Sequence, residues 1–464
     1  MKTKEIIVSC VAAIGITAAL LSAQTSKPVY EQYRQAAARL IGAALEDSAG
    51  LDRLAYLCDR IGNRLSGSPA LERAIVWAAS EMTKAGLENV QTIPVKVPHW
   101  VRGQESAALL SPVQRPLFML GLGDSVGTPP AGIDADLVVV SSFEELARLG
   151  REKIAGKIVL YNVPFTSYGK TVAFRSAGAS KAAQLGAVAA LVRSITPSSL
   201  RSPHTGALRY QEGAPKIPAA AVSIEDAETI QRLSDTGNTV RMHLAMEAHM
   251  EADAESANVI GELRGSEKPE EIVVIGGHID SWDVGQGAQD DGSGCMAALE
   301  AVSLIRQSGL RPKRTIRVVF WTNEENGTAG AKAYRAWVGD KIGNHVAAIE
   351  MDEGAEKPLG FQVLLQGASA NAFARLKDLV KPLDAIQAGQ IFRGEGETDI
   401  EPLMKSGVPG FGVRTVGAHY FDWHHTNADT FDKIDPHDFR LNTAALAVLS
   451  YELADMPERL ADLH

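Results

Sequence analysis

The sequence has few of the features that mark specialised protein classes. Only three of its 464 residues are cysteine, which excludes a small fold held together by many disulfides. It contains no long run of like charges, no heptad array and no internal repeat, which excludes charged tails, coiled coils and repeat proteins. The formal net charge of -10 argues against nucleic acid as a partner, because phosphate binding needs a basic surface.

A long apolar run occurs only near the N-terminus. Lys2 and Lys4 precede the run Ile6–Leu21, and small residues follow it as far as Ala23. A basic start, a short apolar segment and a small residue before the cleavage point are typical of a secretory signal peptide. We therefore predict a signal peptide at residues 1–23 and a secreted or periplasmic protein without stable membrane insertion after cleavage. An uncleaved anchor is the alternative, although the run is short for a span of about 20 residues.

The length and the changing texture of the chain predict two structural units. With 464 residues, of which 45% are hydrophobic, the chain can form two sizeable cores. We predict that residues 24–116 form the N-terminal part of a catalytic unit. Residues 117–246 contain short buried strands and an Ala-rich helix without a cluster of His, Asp and Glu, and we predict an inserted, non-catalytic domain there. Residues 247–464 are predicted to complete the catalytic unit.

Strands and helices alternate after residue 258. Apolar strands at 272–275, 316–321 and 346–349 are each followed by a segment with helical spacing. This alternation predicts an α/β fold with a mostly parallel central sheet flanked by helices. In such sheets, ligands bind in the crevice beyond the carboxyl ends of the strands.

Side chains of the type that bind metals follow each of these three strands. His278 follows the first strand, Glu324–Glu325 the second and Asp352 the third, with Glu350 and Glu353 as rivals of Asp352. Imidazole and carboxylate groups together suit zinc and similar divalent ions. The sequence therefore predicts a metal site at one edge of the sheet.

More carboxylates lie between His278 and the next helix. Asp290 and Asp291 come directly before that helix, where one aspartate suffices as a cap. We assign Asp290 as a bridge between two metal ions and Asp291 as a capping or supporting residue. Two ions that share a carboxylate can activate a water for attack on an amide. Asp280, two residues after His278, is a candidate for orienting the imidazole.

Two neighbouring pairs complete the predicted site. Glu324 and Glu325 repel each other at the end of a buried strand and need positive charge nearby. We assign Glu325 as a metal ligand and Glu324 as the general base and then acid. His425 is the fifth predicted ligand, with His424 as the alternative. Asp429 is predicted to orient a loop histidine or to cap the segment that follows it.

Several motifs resemble those of the di-zinc exopeptidases of the aminopeptidase clan, and among them enzymes of the carboxypeptidase and dipeptidase type. They are Arg64-Leu-Ser-Gly-Ser68, Pro98-His-Trp100, the segment from His278 to Ala288, Asp290-Asp-Gly292, Arg311-Pro-Lys-Arg-Thr315, Glu324-Glu325 and His424-His425. The resemblance covers nearly the whole mature chain. It departs from the family's pattern at 394–399, in the segment around Asp352 and at 415–423, which leaves the substrate preference open.

This resemblance implies a zinc-dependent exopeptidase fold with an inserted protease-associated-type α/β domain. It also implies homodimers, two zinc ions per subunit, and dipeptides or short peptides with unblocked termini as substrates. It matches the metal ligands to His278, Asp290, Glu325, Asp352 and His425, and the acid/base to Glu324. For the substrate, we expect Asp399 to meet an amine, Arg393 or Arg414 to meet a carboxylate, and His419 or Tyr420 to donate to the oxyanion.

Other functions fit parts of this pattern. A same-fold aminopeptidase or a glutaminyl-cyclase-like enzyme is one alternative, and a bridging Asp290 argues against a cyclase with a single zinc. A receptor-like relative without metals is another, and the complete ligand set argues against it. A solute-binding protein would also fit two domains and a signal peptide, but it gives no reason for the Glu324–Glu325 pair.

Overall fold

The computed structural model describes residues 29–367, 369–394 and 396–463. The predicted signal peptide at residues 1–23 lies outside these residues. Within the described ranges, none of the helices combines the length and the apolar character that a membrane span requires.

Two eight-stranded sheets carry the fold. In the first sheet, four central strands run parallel, and antiparallel pairings extend the sheet on both sides. Its strands, in spatial order, are β1 (Glu88–Val97), β12 (Ala254–Leu263), β14 (Arg314–Trp321), β13 (Lys268–His278), β15 (His345–Glu350), β18 (Gly410–Thr415), β16 (Pro358–Leu364) and β17 (Gln390–Arg393). The predicted sheet with a parallel centre is confirmed.

Helices cover both faces of the first sheet. They are α1 (Val29–Glu46), α2 (Ala49–Tyr56), α3 (Pro69–Lys84), α7 (Ser293–Gln307), α8 (Ala329–Val338), α9 (Ala370–Val380), α10 (Glu401–Met404), α11 (Tyr420–Trp423) and α12 (Pro436–Asp455). Side chains alternate across β13, because Val273 and Ile275 join one core with α7 and α12, whereas Ile272 and Val274 join another with α8. A strand that is buried on both faces needs this apolar run.

In chain order, the strands of the second sheet lie between β1 and β12 of the first sheet. Its strands, in spatial order, are β4 (Arg115–Leu117), β3 (Glu105–Ser111), β10 (Arg241–Met246), β6 (Ile133–Val140), β7 (Ile158–Tyr161), β8 (Ala189–Arg193), β9 (Ala219–Val222) and β5 (Met119–Gly121). Its helices are α4 (Phe143–Ile154), α5 (Tyr168–Gln184) and α6 (Ile224–Asp235). The sheet starts at Glu105, earlier than residue 117, because β3 pairs with the distant strand β10. The domain limits themselves remain a prediction.

Short elements connect these layers. A two-stranded ribbon joins β2 (Trp100–Val101) to β11 (His249–Met250). Turns of 3₁₀ or π type occupy Leu57–Ile61, Ala288–Gly292, Gly339–Asn344, Lys381–Ile386, Phe431–Lys433 and Leu460–Asp462.

The register of the first sheet determines where polar side chains gather. In the parallel pairing of β13 with β14, His278 lies opposite Trp321, and in the pairing of β13 with β15, Gly276 lies opposite Glu350. The three strands therefore end together. The segments that follow them carry Glu324–Glu325 and Asp352 to the same edge as His278.

Candidate metal centre and active-site cleft

Asp290 lies at the centre of a buried cluster of imidazole and carboxylate groups. Its Oδ1 atom is 3.2 Å from Nε2 of His278, and its Oδ2 atom is 3.2 Å from Nε2 of His425. Oδ1 of Asp352 is 3.2 Å from the same nitrogen of His278, and Oε2 of Glu325 is 3.1 Å from that of His425. The two oxygens of Asp290 thus face two separate sets of potential ligand atoms. Oδ1 faces the set formed with His278 and Asp352, and Oδ2 faces the set formed with His425 and Glu325.

The two adjacent histidines differ in their contacts. His425 lies within 4 Å of both Asp290 and Glu325, whereas His424 reaches Asp290 alone among the described carboxylates, at 3.7 Å. The rings of His424 and His425 stack with their centroids 3.5 Å apart. His425 also has a left-handed backbone with φ of 62°, a strained conformation that costs about 1–3 kcal/mol and often marks functional positions. The geometry favours His425 over His424 as the ligand.

Asp280 acts on the main chain of its neighbours. Its carboxylate oxygens accept hydrogen bonds from the amides of Glu324 (3.1 Å) and Glu325 (3.3 Å). Nδ1 of His278 is 3.1 Å from the main-chain oxygen of Asp280 and 3.8 Å from its carboxylate. The imidazole therefore meets a carbonyl rather than the expected carboxylate, and the Asp280 side chain holds the Glu324–Glu325 segment instead.

Two further aspartates hold the segment that carries Asp290. Asp429 accepts hydrogen bonds from the amides of Gln289 (2.7 Å) and Asp290 (3.2 Å), so its carboxylate fixes this turn, whereas the prediction was that it orients a loop histidine or caps the segment that follows it. Asp291 accepts from the amide of Gly294 at 2.9 Å, which is the capping contact expected for it. Both carboxylates thus fix the main chain around Asp290.

Burial and mutual contact shift the protonation of the cluster. Burial, with the charge of Asp290, raises the pKa of Glu325 to about 8. Burial likewise raises the pKa of Asp352 to about 7. Although burial opposes it, the close imidazoles of His278 and His425 hold the pKa of Asp290 well below its ordinary value. Buried carboxylates at such close range are costly unless cations accompany them.

The cluster fits divalent metal ions by its donor chemistry. Two imidazole nitrogens and three carboxylates form a donor set that zinc-type ions accept. Oδ2 of Asp290 is buried and has no partner in hydrogen-bond geometry among the described residues, although His425 is near. A buried acceptor without a donor is an unmet requirement, which a cation between Asp290, Glu325 and His425 would meet.

A cleft of about 780 Å³ lies beside the cluster. Asp290, Glu325, Asp352 and His425 line it together with Glu324. The carboxylate of Glu324 makes no hydrogen bond or ion pair with any described residue, whereas its amide is held by Asp280. A carboxylate on a fixed main chain with free oxygens in a cleft is suited to proton transfer.

Comparisons with known proteins define the family of this chain. The model of peptidase family M28 matches residues 258–450. Carboxypeptidase Q from Mus musculus is 44% identical over 432 residues, which cover 93% of this chain and 91% of that protein. The chain belongs to peptidase family M28. The expected resemblance is confirmed, and the protein is a metallopeptidase of the exopeptidase or dipeptidase type, not a solute-binding protein.

Solved structures of similar proteins agree with this M28 fold. A peptidase M28 precursor from Shewanella amazonensis SB2B is 34% identical, with a TM-score of 0.90 over 94% of this chain and 99% of that chain. A zinc aminopeptidase from Bacillus subtilis is 20% identical, with a TM-score of 0.67 over 89% of this chain and 97% of that chain. The second similarity concerns the fold alone.

Of the five expected substrate contacts of this M28 peptidase, Tyr420 lines the cleft, and Asp399 is a buried residue that follows the lining residue Thr398 in the chain. Tyr420 lines the cleft, and its hydroxyl donates to the main-chain oxygen of Asp352 at 3.4 Å. Asp399 follows two cleft-lining residues, and both of its carboxylate oxygens are buried without a hydrogen-bond partner among the described residues. The amide of Asp399 donates to Glu350 at 3.0 Å, so Glu350 supports this loop and does not join the cluster around Asp290.

The other three expected substrate residues are not brought to the cleft wall. Arg393 is exposed, and its guanidinium carbon is 3.9 Å from the ring centroid of Phe373. Arg414 forms an ion pair with Glu353. His419 is 64% exposed and contacts Asp422 at 2.8 Å. None of the three lines the cleft. β17, β18 and the loop after β18 direct these side chains to Phe373, to the cleft-lining carboxylate of Glu353 and to Asp422, and the expectations for them are corrected accordingly.

The residues that form the opposite wall of the cleft were not predicted from the sequence. They come from the loops and helix α5 of the second sheet, and they include Asp124, Tyr168, Arg175 and Arg209. No motif or local pattern marks them, since only the packing of the two sheets makes them neighbours of the metal cluster.

The role of Arg64 was also not predicted from the sequence. It is fully buried, and its guanidinium donates to the main-chain oxygens of Ile279 (2.8 Å), Gln286 (2.7 Å) and Gly287 (3.0 Å). A buried cation with these bonds fixes the loop between β13 and Asp290. Its position in the Arg64–Ser68 motif is the only signal that the sequence offers.

Proposed function

We propose that this M28 peptidase hydrolyses dipeptides or short peptides with unblocked termini and uses two zinc ions to do so. His278 and Asp352 would hold one ion, Glu325 and His425 the other, and Asp290 would bridge them. The observation that carries this proposal is the contact of the two Asp290 oxygens with two separate imidazoles. Zinc ions bound there supply Lewis acidity and lower the pKa of water toward neutrality.

Glu324 is the proposed general base and acid. It takes a proton from the attacking water and delivers it to the leaving amine. Its free carboxylate in the cleft and the hydrogen bond from its amide to Asp280 support this role. Asp280 and Asp429 are positioning residues in this scheme, because each holds the main chain of a catalytic segment.

Two residues are proposed to contact the substrate's amine and the oxyanion. A buried carboxylate without a hydrogen-bond partner, such as Asp399, is suited to an ammonium group. Tyr420 has its hydroxyl at the cleft near Asp352, which supports a role as oxyanion donor over the exposed His419. We assign the amine end to Asp399 and the oxyanion contact to Tyr420.

Assembly and export belong to the same proposal. The family resemblance supports a homodimer, and the pattern at residues 1–23 supports export to the periplasm or the medium. We also propose that residues 117–246, with the preceding strands of the second sheet, form the inserted protease-associated-type domain.

The test is a panel of dipeptides incubated with the purified protein, with and without a chelator. We expect dipeptides with free termini to be cleaved, chelation to abolish cleavage, and added zinc to restore it at about two ions per chain by elemental analysis. N-blocked and amidated dipeptides are the matched controls. Cleavage that resists full chelation, or full activity with one ion per chain, would contradict the proposal.

A further inference from the structure

The walls of the cleft are strongly acidic. Its lining contains the carboxylates of the cluster and, farther out, those of Asp124, Glu353 and Glu397. An anionic group that enters such a cleft is repelled unless a cation meets it. A dipeptide with a free C-terminus carries an anionic group, so its carboxylate requires a cation on the wall.

Three Lys or Arg side chains line the cleft, and two of them are engaged. Arg175 is only 8% exposed, and its guanidinium donates to the hydroxyl of Tyr168 at 2.7 Å, while its Nε atom is buried without a hydrogen-bond partner among the described residues. Nζ of Lys332 donates to the main-chain oxygen of Gly327 at 3.1 Å. Arg209 is exposed, and its guanidinium makes no hydrogen bond or ion pair with the described part of the chain.

We propose that Arg209, on the wall formed by the second sheet, binds the C-terminal carboxylate of the substrate. This inference rests on the proposed peptidase function and adds the residue that selects a free C-terminus. The planar guanidinium offers two parallel N–H donors that match a carboxylate. Neither Arg393 nor Arg414 lines the cleft, so Arg209 takes the place that the sequence analysis gave to them.

The surroundings of Arg209 support this assignment. Its amide donates to the main-chain oxygen of Ser176 in α5 at 2.8 Å, which fixes the base of the side chain on a helix. Burial raises the pKa of Asp124 to about 6, and the charge of Arg209 opposes this rise. Asp124 lies 3.5 Å from the amide group of Asn326, directly after Glu325 in the chain. The positive charge therefore acts where the two walls meet.

The reaction would then require both walls. The strand ends of the first sheet hold the catalytic cluster and Glu324, and the second sheet contributes the anchor for the substrate's C-terminus. Removing the anchor should weaken substrate binding without altering the metal cluster. This separation makes the inference testable through KM rather than through total loss of turnover.

The experiment compares alanyl-alanine with its C-terminal amide as substrates of the full, zinc-loaded protein. In Arg209→Met we expect the ratio of kcat/KM for the acid to that for the amide to fall about 10- to 100-fold, mainly through KM. Arg209→Lys should keep part of the preference, because the charge remains while the planar fork is lost. Arg201→Met is the matched control, since Arg201 is exposed on the same domain and does not line the cleft, and it should keep the wild-type ratio.

The outcomes separate the two levels of the proposal. If the wild type cleaves the dipeptide and Arg209→Met keeps the wild-type ratio, the Arg209 assignment is overturned while the peptidase function stands. If Lys332→Met loses the preference instead, the carboxylate belongs to Lys332 and the assignment is likewise overturned. If the zinc-loaded wild type cleaves neither substrate, the proposed function fails and the inference fails with it. Zinc content and thermal melting of each variant establish that it is folded, and Arg209→Lys carries the test if Arg209→Met is not.

Discussion

The two walls of the cleft differ in how deeply their functional side chains are buried and in how firmly hydrogen bonds hold them. On the first wall, formed by the strand ends of the first sheet, the side chains around Asp290 are buried. Carboxylates such as Asp280 and Asp429 hold the main chain there through amide hydrogen bonds. On the second wall, formed by the loops and helix α5 of the second sheet, Arg209 is exposed, and its guanidinium makes no hydrogen bond or ion pair with the described residues. Buried, fixed groups suit ions that stay bound, whereas an exposed cation suits a substrate that enters and leaves. In the proposed scheme, the chemistry and the anchoring of the substrate's C-terminal carboxylate are therefore assigned to different sheets.

Asp290→Ala, on the first wall, is expected to have the largest effect. Because this carboxylate contacts both His278 and His425, we expect the zinc content to fall and peptidase activity to drop to background. Elemental analysis and dipeptide hydrolysis measure the two effects. Glu353→Ala is the control, since it also removes a carboxylate from the cleft wall but lies outside the cluster. A variant at Asp290 that keeps two zinc ions would exclude the bridging role.

Glu324→Gln separates catalysis from metal binding on the same wall. The amide side chain keeps the size of the carboxylate but cannot accept a proton, so we expect kcat to fall by about 10²- to 10⁴-fold. The zinc content should stay at the wild-type level, because Glu324 makes no contact within the cluster. Glu353→Gln repeats the same change of charge nearby and should retain most of the turnover. Undiminished turnover in Glu324→Gln would remove this residue from the mechanism.

The pH dependence of stability tests the electrostatic difference between the walls. In the metal-free protein, the pKa of Glu325 is raised from 4.5 to about 8 and that of Asp352 from 3.8 to about 7. Between these values the folded state binds more protons than the unfolded state, so the free energy of unfolding falls as the pH rises, by at most about 1.4 kcal/mol per pH unit for each group. Zinc requires the deprotonated carboxylates, and its stabilising effect should therefore grow over the same range.

The measurement is the melting temperature at pH 5 to 8, with chelator and with zinc. We expect the gap between the two melting temperatures to widen toward pH 8. Asp290 adds no slope over this range, because its lowered pKa leaves it deprotonated in both the folded and the unfolded state above pH 5. A gap that stays constant across this range would show that Glu325 and Asp352 do not bind the metal in competition with protons.

The first wall could be predicted from the sequence because its residues follow local patterns. His278, Glu324–Glu325 and Asp352 each come shortly after an apolar strand, and parallel strands end at one edge of the sheet. The actual partners of Asp280 and Asp429 could not be predicted, since both carboxylates accept hydrogen bonds from main-chain amides and not from imidazoles. Such choices depend on the close packing of loops, which leaves no signature in residue types.

The second wall could not be predicted for a related reason. Arg209 lies in a loop without a motif, and it lines the same cleft as the cluster only because the second sheet packs against the first. Arg393 and Arg414, which were predicted instead, are nearer to the catalytic segments along the chain. Proximity in sequence was a poor guide here because β17 and β18 direct these arginines to Phe373 and Glu353.

The smallest expected effect comes from Arg393→Met, and it sharpens the comparison most directly. This change removes a positive charge near the catalytic segments, as Arg209→Met does on the other wall, but Arg393 packs on Phe373 outside the cleft. Exposed residues away from such sites tolerate substitution, so kcat/KM for the free dipeptide should change by less than about two-fold. Steady-state kinetics on both variants in parallel decide the matter. If Arg393→Met lost as much as Arg209→Met, charge near the cleft rather than contact with the carboxylate would determine substrate binding, and the division of labour between the walls would not hold.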